Sequence, residues 1–171
     1  PNNKKIAEFC QSSANQGRKV KNGQWLEHVR LGYNYRMDEM SAAMGVAQLK
    51  RIQEILAKRK KVALLYNQKL KGIKDLQIPY ISSESTLSWF VYVVKLPEKF
   101  SGKKRDNIVK EMAKRGIACS NYFQPIHLQP FYKREFGYKN GDFPVAEEIS
   151  RRTLALPFFN NLQEKEIDYV V

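Results

Sequence analysis

The spacing of hydrophobic positions changes along the chain, and each change marks an element. Ile6, Ala7, Phe9 and Cys10 recur at helical spacing, and Asn2 or Asn3 is placed to cap a helix over roughly 4–15. NQGRKVKNGQWLEH, from Asn15 to His28, carries two glycines and mixed polarity and reads as a loop. LGYNYRMDEMSAAMGVAQL, Leu31 to Leu49, switches character midway. Gly32 to Arg36 is a turn-like run of aromatic and hydrogen-bonding groups, whereas from Met37 the residues are small, apolar and helix-forming. Asp38 is placed as an N-cap, Glu39 lies where the helix dipole favours negative charge, and Met37 is positioned to fold back on the first turn. Met40 to Leu49 is apolar almost all round, so a core or a partner must cover it. Leu49, Ile52, Leu56, Ala63, Tyr66 and Leu70 then keep an approximate 3.5-residue spacing, with Lys50, Arg51, Lys58, Arg59, Lys60 and Lys61 in most of the remaining places. These stretches read as one helix of about 35 residues, long by ordinary standards, with Gly72 as its stop.

Downstream the pattern shortens. DLQIPY and LSWFVYVVKL read as strands; the second is nearly continuously apolar from Trp89 to Val94, which places Trp89 and Phe90 in a core. SGKKRDNIVKEMAKRG is an amphipathic helix with Ile108, Val109, Met112 and Ala113 facing inward and Gly116 at its end. IACSNYF reads as a short strand. QPIHLQPFYKREFGYKNGDFP is rich in Pro, Gly and aromatics and reads as a loop with a short helical turn. A helix over about 145–153 follows, then LALPFF, then a last helix with Asn161 as cap and Glu164 as its reciprocal partner. The order strand–helix–strand predicts an α/β class, α+β within this chain alone: a long helix followed by a small sheet packed with helices. The boundary drawn near Gly72 to Asp75 separates 1–73, a helical region, from 74–171, a small α/β domain.

Composition narrows the partners. At 171 residues and 43% hydrophobic content the chain has ample material for a packed core. Its net charge of +13 invites an anionic partner. The lysines are spread rather than gathered in a motif and read as a solvated face, so nucleic acid is disfavoured even though Tyr33 and Tyr35 have rings that stack on bases. Cys10 and Cys119 stand far apart, which points to free thiols in a reducing, cytoplasmic setting. With only His28 and His127 beside them, no metal site is expected. No apolar run approaches the length of a membrane span. The chain starts without Met and stops inside an apparent helix, so it is expected to be cut from a longer one.

Candidate chemistry centres on two stretches. The Asn34 amide and Arg36 guanidinium are suitable donors to a phosphate or carboxylate, and a helix N-terminus beside them favours anions. Local chemistry alone favours an ordinary helix start, with Asn34 holding a turn and Arg36 paired to a surface acid. His127, among prolines and aromatics, is placed either to meet a ligand or to bond a backbone carbonyl; His28 reads as a loop or packing residue. There is no GxSxG and no Gly-rich phosphate loop, and Lys50, Lys58 and Lys60 fit a solvated helix surface. The chain offers binding elements without a reaction centre.

Taken together, three segments resemble one family, the PLP-dependent sugar aminotransferases of the DegT/StrS type. They are HVRLGYNYRMDEMSAAMGVAQLKRI, GIACSNYFQPIHLQPFY and LALPFFNNLQEKEIDYVV, in the family's order and spanning essentially the whole chain. The resemblance implies the C-terminal portion of a fold-type I PLP-dependent transferase, a homodimer that moves an amino group from glutamate to a nucleotide-linked keto-sugar in polysaccharide or related sugar biosynthesis. It implies pyridoxal 5'-phosphate as cofactor, acting as electron sink. The family's Schiff-base lysine falls upstream of Pro1, so this chain alone is expected to be inactive. Asn34 matches the family asparagine that reaches the cofactor phosphate of the other subunit. Tyr33 and Arg36 share its loop, and His127 matches a histidine on the substrate side. Gln124 stands where the family often has proline, which leaves the loop rigid but alters its sugar contacts. A PLP-dependent sugar dehydratase or a regulator of the same family is the alternative within it.

Overall fold

The computed structural model describes residues 2–19 and 27–171; the loop expected from Asn15 to His28 lies partly outside them. The chain forms two compact units, Pro1–Arg51 and Ile52–Val171.

In the first unit, helix α1 spans Lys4–Ala14. Asn3 caps it, its Oδ1 accepting from the Lys5 and Ile6 amides at 3.0 and 3.3 Å. The expected apolar face of α1 is open: Ile6 and Phe9 are more than half exposed, and the buried residue is Ser12. Helix α2 spans Glu39–Lys50. Asp38 caps it as expected, accepting from the Ser41 amide at 2.9 Å and the Ser41 hydroxyl at 2.7 Å, and these bonds hold its carboxyl below the usual range. Met37 is 72% exposed and does not fold back on the first turn. No residue of α2 is buried within this chain.

The single long helix expected from the sequence is two. At Arg51 the backbone leaves helical values (φ −104°, ψ 8°), and the Arg51 amide bonds Gln48 O, closing α2. Helix α3 restarts at Ile52 and runs to Leu70, burying Val62, Ala63, Tyr66 and Leu70. The division between the compact units falls at this break, ahead of the 73/74 position drawn from the sequence, because α3 spends its apolar face on the core of the second unit.

That core is built on two antiparallel strands, β1 (Tyr92–Lys95) and β2 (Thr153–Leu156), with Tyr92 opposite Leu156 and Lys95 opposite Thr153. Gln77 bridges Lys95 on the outer side of β1, and Ser120 bridges Ala155 on the outer side of β2. The strands expected at DLQIPY and IACSNYF are thus reduced to single bridges flanking the pair. Around the sheet lie α4 (Lys103–Lys114), α5 (Pro130–Phe136), α6 (Pro144–Ser150) and α7 (Glu164–Val170). Tyr66, Tyr92, Val94, Leu154, Leu156 and Ile167 are buried together. The Tyr66 and Tyr92 rings stack at 4.8 Å, and Trp89 stacks on Tyr92 at 5.6 Å. Each buried phenol finds an acceptor: Tyr66 donates to Pro157 O at 2.8 Å and Tyr92 to Asn67 Oδ1 at 2.6 Å. Burial raises both phenol pKa values, so both remain neutral donors.

Several placements differ from expectation for identifiable reasons. Phe90 is 69% exposed while Trp89 is buried, because the segment leading into β1 turns successive side chains to opposite sides. Ala113 is exposed, and Arg105 takes the inward place on α4. Its guanidinium is satisfied there, donating to Ser150 O (3.1 Å), Thr153 O (2.8 Å) and Asp106 Oδ1 (2.8 Å). Helix α6 stops at Ser150, since Thr153 already belongs to β2. Helix α7 is capped by a reciprocal Gln163–Glu166 pair rather than by Asn161 and Glu164: Leu162 is drawn into the core first, and the helix starts beyond it. Glu164 instead shares Lys69 with Asp168, at 2.9 and 2.7 Å, tying α7 to α3.

If this core carries the second unit, Ile167→Ala should cost about 2–5 kcal/mol, the usual cost of truncating a fully buried aliphatic side chain. Exposed Ala113→Ser should stay within about 0.5 kcal/mol. Urea denaturation of both variants measures the difference, and equal midpoints would contradict the assignment.

Candidate functional site

The segment before α2 is a strap laid along the end of α1. The Tyr33 amide donates to Ser13 O, Gln16 N to Tyr33 O, Tyr35 N to Ala14 O and Val29 N to Gly17 O, each at 2.8 Å. Asn34 stands opposite Asn15 in an antiparallel bridge, and His28 Nδ1 meets Gln16 O at 2.7 Å, confirming His28 as a loop tie. The two backbones cross without room for a side chain. A Cβ on Gly32 would lie 2.2 Å from Gly17 N, and one on Gly17 would lie 1.8 Å from Arg30 O; Gly17 also has φ +75°. With its backbone fixed inward, the strap leaves Tyr33, Asn34, Tyr35 and Arg36 exposed.

The exposed groups are ordered among themselves. Tyr33 and Tyr35 stack at 5.4 Å. Arg36 Nε donates to Asn34 Oδ1 at 3.0 Å. A guanidinium has no acceptor, so the amide must turn its oxygen toward Arg36 and present its NH2 elsewhere. The result is an outward face made of donors and one positive charge, ahead of a helix N-terminus whose capping carboxylate is engaged by Ser41. Groups of this chemistry suit a phosphate or carboxylate.

His127 belongs to the second unit. Pro125 leads into a single 3₁₀ turn, Ile126–Leu128, and Pro130 opens α5 directly after it. The ring is buried, with its edge toward Phe143 (centroids 4.7 Å) and Tyr138 (6.2 Å). Its Nε2 lies 3.0 Å from Oε1 of Glu147 on α6. Glu147 also accepts from Gly141 N, at 2.8 and 3.1 Å to its two oxygens, and from Phe143 N at 3.4 Å. The His127 bond, aided by these amides, holds the carboxyl below its usual range against the opposing effect of burial. His127, Pro125, Tyr132, Phe136, Tyr138 and Phe143 line most of an open cleft of about 460 Å³.

Tyr33, Asn34 and Arg36 therefore share one strap in the first unit, and His127 sits in a cleft of the second. Glu147, the partner of the candidate His127, is a residue that sequence reasoning did not find; twenty positions from His127, inside a short Pro-led helix, it forms no recognisable spacing. The other candidate reactive groups are quiet. Burial pushes the Cys119 thiol up to about 11, so it is no ready thiolate. Lys58 pairs with Glu54 at 2.7 Å on the helix surface.

Two outcomes test this geometry. Gly32→Ala should unseat the strap and lower hydrogen-exchange protection of the Tyr33 and Tyr35 amides by about tenfold or more; unchanged protection would contradict the crossing. The Glu147 carboxyl is held below its ordinary value of 4.5, so it contributes stability that is present above 4.5 and lost as pH falls through the lower folded value. Glu147→Gln should thus flatten the acid limb of the stability–pH curve, which equilibrium unfolding at stepped pH measures.

Comparison with known proteins identifies the family. The family model described as "DegT/DnrJ/EryC1/StrS aminotransferase family" matches residues 1–171. The spore coat polysaccharide biosynthesis protein SpsC of Bacillus subtilis is 32% identical over 94% of this chain and 42% of its own length. The GDP-perosamine synthase of Caulobacter vibrioides is 34% identical over 82% of this chain and 37% of its own. A pleiotropic regulatory protein of Geobacillus stearothermophilus is 33% identical over 99% of this chain and 44% of its own. The PLP form of a putative sugar aminotransferase, Spr1654 of Streptococcus pneumoniae, superposes with a TM-score of 0.87 at 25% identity, covering 99% of this chain and 43% of that one. The chain thus spans less than half the length of the relatives it matches, and the fold is that of a portion of such an enzyme. With the strap, the helix it introduces and the histidine loop all inside the matched residues, the chain belongs to the DegT/DnrJ/EryC1/StrS aminotransferase family.

Proposed function

We propose that this chain supplies the phosphate-holding strap and part of the substrate wall of a PLP-dependent sugar aminotransferase. The reaction moves an amino group from glutamate to a nucleotide-linked keto-sugar in the cytoplasm. The observation that carries the reading is the Arg36 Nε to Asn34 Oδ1 bond, which turns the amide oxygen to the guanidinium and leaves the exposed Asn34 NH2 free to donate. These residue types suit a dianionic phosphate, and the rigid strap beneath removes the cost of ordering them on binding. PLP, when bound, supplies the electron sink for breaking bonds at the amino-bearing carbon. Asn34 Nδ2 donates to its phosphate, Arg36 adds charge beside it, and Tyr33 shapes the rim.

The enzyme works as a homodimer in this reading. Helix α2, with no buried residue and with Met40, Met44 and Leu49 open, supports a partner surface, and an outward-facing strap suits a site completed by another subunit. The lysine that carries PLP lies in the part of the relatives' length that this chain does not span. Sugar chemistry is supported by the similarity to the Bacillus spore coat polysaccharide biosynthesis protein and the Caulobacter GDP-perosamine synthase. The similarity to a pleiotropic regulatory protein supports a second reading, a family member acting as a regulator. Glutamate-dependent amination of a keto-sugar nucleotide separates the two.

Asn34→Ala should weaken PLP binding by the enzyme about tenfold or more, the loss expected for one hydrogen bond to a charged group. Cofactor retained through gel filtration measures it, and unchanged affinity would remove Asn34 from the phosphate site. The 171 residues alone should transfer no amino group; turnover by them would mean that a lysine within this chain serves.

A further inference from the structure

The buried pair His127–Glu147 has a consequence for the cleft it borders. An ionised carboxylate only accepts hydrogen bonds. Glu147 is held in that state by its contact with His127 Nε2 and by the amides of Gly141 and Phe143. Nε2 must therefore carry a hydrogen. Nδ1 is then the ring's remaining site, and among the described residues it makes no hydrogen bond. The imidazole cannot turn over to exchange its nitrogens, because Phe143 and Tyr138 pack against it and Glu147 is anchored on both oxygens by Gly141.

We propose that Glu147 is a positioning residue that commits His127 to the Nε2–H tautomer, so that Nδ1 accepts from a hydroxyl of the sugar bound in the adjoining cleft. The cleft chemistry fits that ligand class. Tyr132, Phe136, Tyr138 and Phe143 offer ring faces and edges to the C–H face of a sugar ring, and His127 offers the polar contact that orients it. Three chain segments meet on the one carboxylate: the 3₁₀ turn bearing His127, the turn at Gly141 to Phe143, and α6. Glu147 therefore sets the position of the cleft wall as well as the tautomer. The ligand half of the proposal rests on the reading of His127 as a substrate-side residue; the tautomer half does not.

Nitrogen-15 NMR of histidine-labelled protein tests the tautomer directly. The chain has two histidines, and His28, whose Nδ1 meets the Gln16 carbonyl, should show the opposite tautomer; His28→Asn assigns the signals. At neutral pH His127 should show an unprotonated Nδ1 and a protonated Nε2. Glu147→Asp, still acceptor-only, should keep that pattern, whereas Glu147→Gln should mix the tautomers. A protonated Nδ1 on wild-type His127, or a wild-type pattern in Glu147→Gln, would overturn the proposal; should Glu147→Gln fail to fold, the wild-type spectrum decides. In the whole enzyme, Glu147→Gln should raise KM for the sugar nucleotide about tenfold with little change in kcat, and by less than about twofold when His127 is already Asn. An equal effect in both backgrounds would mean that Glu147 does not act through His127. His127→Asn without any change in KM would instead defeat the substrate-side reading and leave the tautomer result standing.

Discussion

The backbones of residues 17 and 32 pass so closely that neither position has room for a Cβ, and the presentation of the candidate site follows from that crossing. Steric exclusion of this kind acts through repulsion and admits little adjustment when the clashing atoms are backbone. Once Gly32 is seated on Gly17, the amides of Tyr33 and Tyr35 are directed at the end of α1, and the side chains from Tyr33 to Arg36 have only the outside left. The strap thus turns two glycines with no chemistry of their own into the support for an amide and a guanidinium that have it. Arg36 completes the arrangement by fixing which end of the Asn34 amide faces out.

The two units bury their apolar surface differently. The second has a self-sufficient core, with Tyr66, Tyr92 and Ile167 fully covered and the buried phenols and Arg105 all bonded. Among the described residues, the first leaves Ile6, Phe9, Met40, Met44 and Leu49 open, with the Arg30 guanidinium lying over the Phe9 ring at 4.8 Å. Exposure on this scale has a physical meaning in a helix that is apolar all round. It supports the proposal that the first unit is finished by other surfaces, a partner subunit among them.

Much of this was legible in the sequence because it rests on local rules. Asn3 and Asp38 cap the helices they precede, since a short polar side chain there satisfies amides within its own turn. Ala63, Tyr66 and Leu70 recur on one face and are buried. The NYR run and the histidine loop were visible as candidate sites, and their family resemblance is shown by the match over the whole chain. What escaped depended on contacts distant in sequence. The break at Arg51 leaves no Pro or Gly signal, and the outer strands shrink to single bridges on β1 and β2. Arg105 and Glu147 look like solvated charges until the carbonyls of residues 150 and 153, and the ring of His127, are placed beside them. Gly32 reads only as part of a turn until Gly17 is found against it.

A crystal structure of the enzyme carrying this chain, grown with PLP, tests the central claim most directly. The account predicts a strap that keeps its crossing at Gly17 and Gly32, with Asn34 Nδ2 about 3 Å from a phosphate oxygen of PLP held mainly by the partner subunit. A phosphate bound with no contact to Asn34, the strap facing solvent in both subunits, would contradict it.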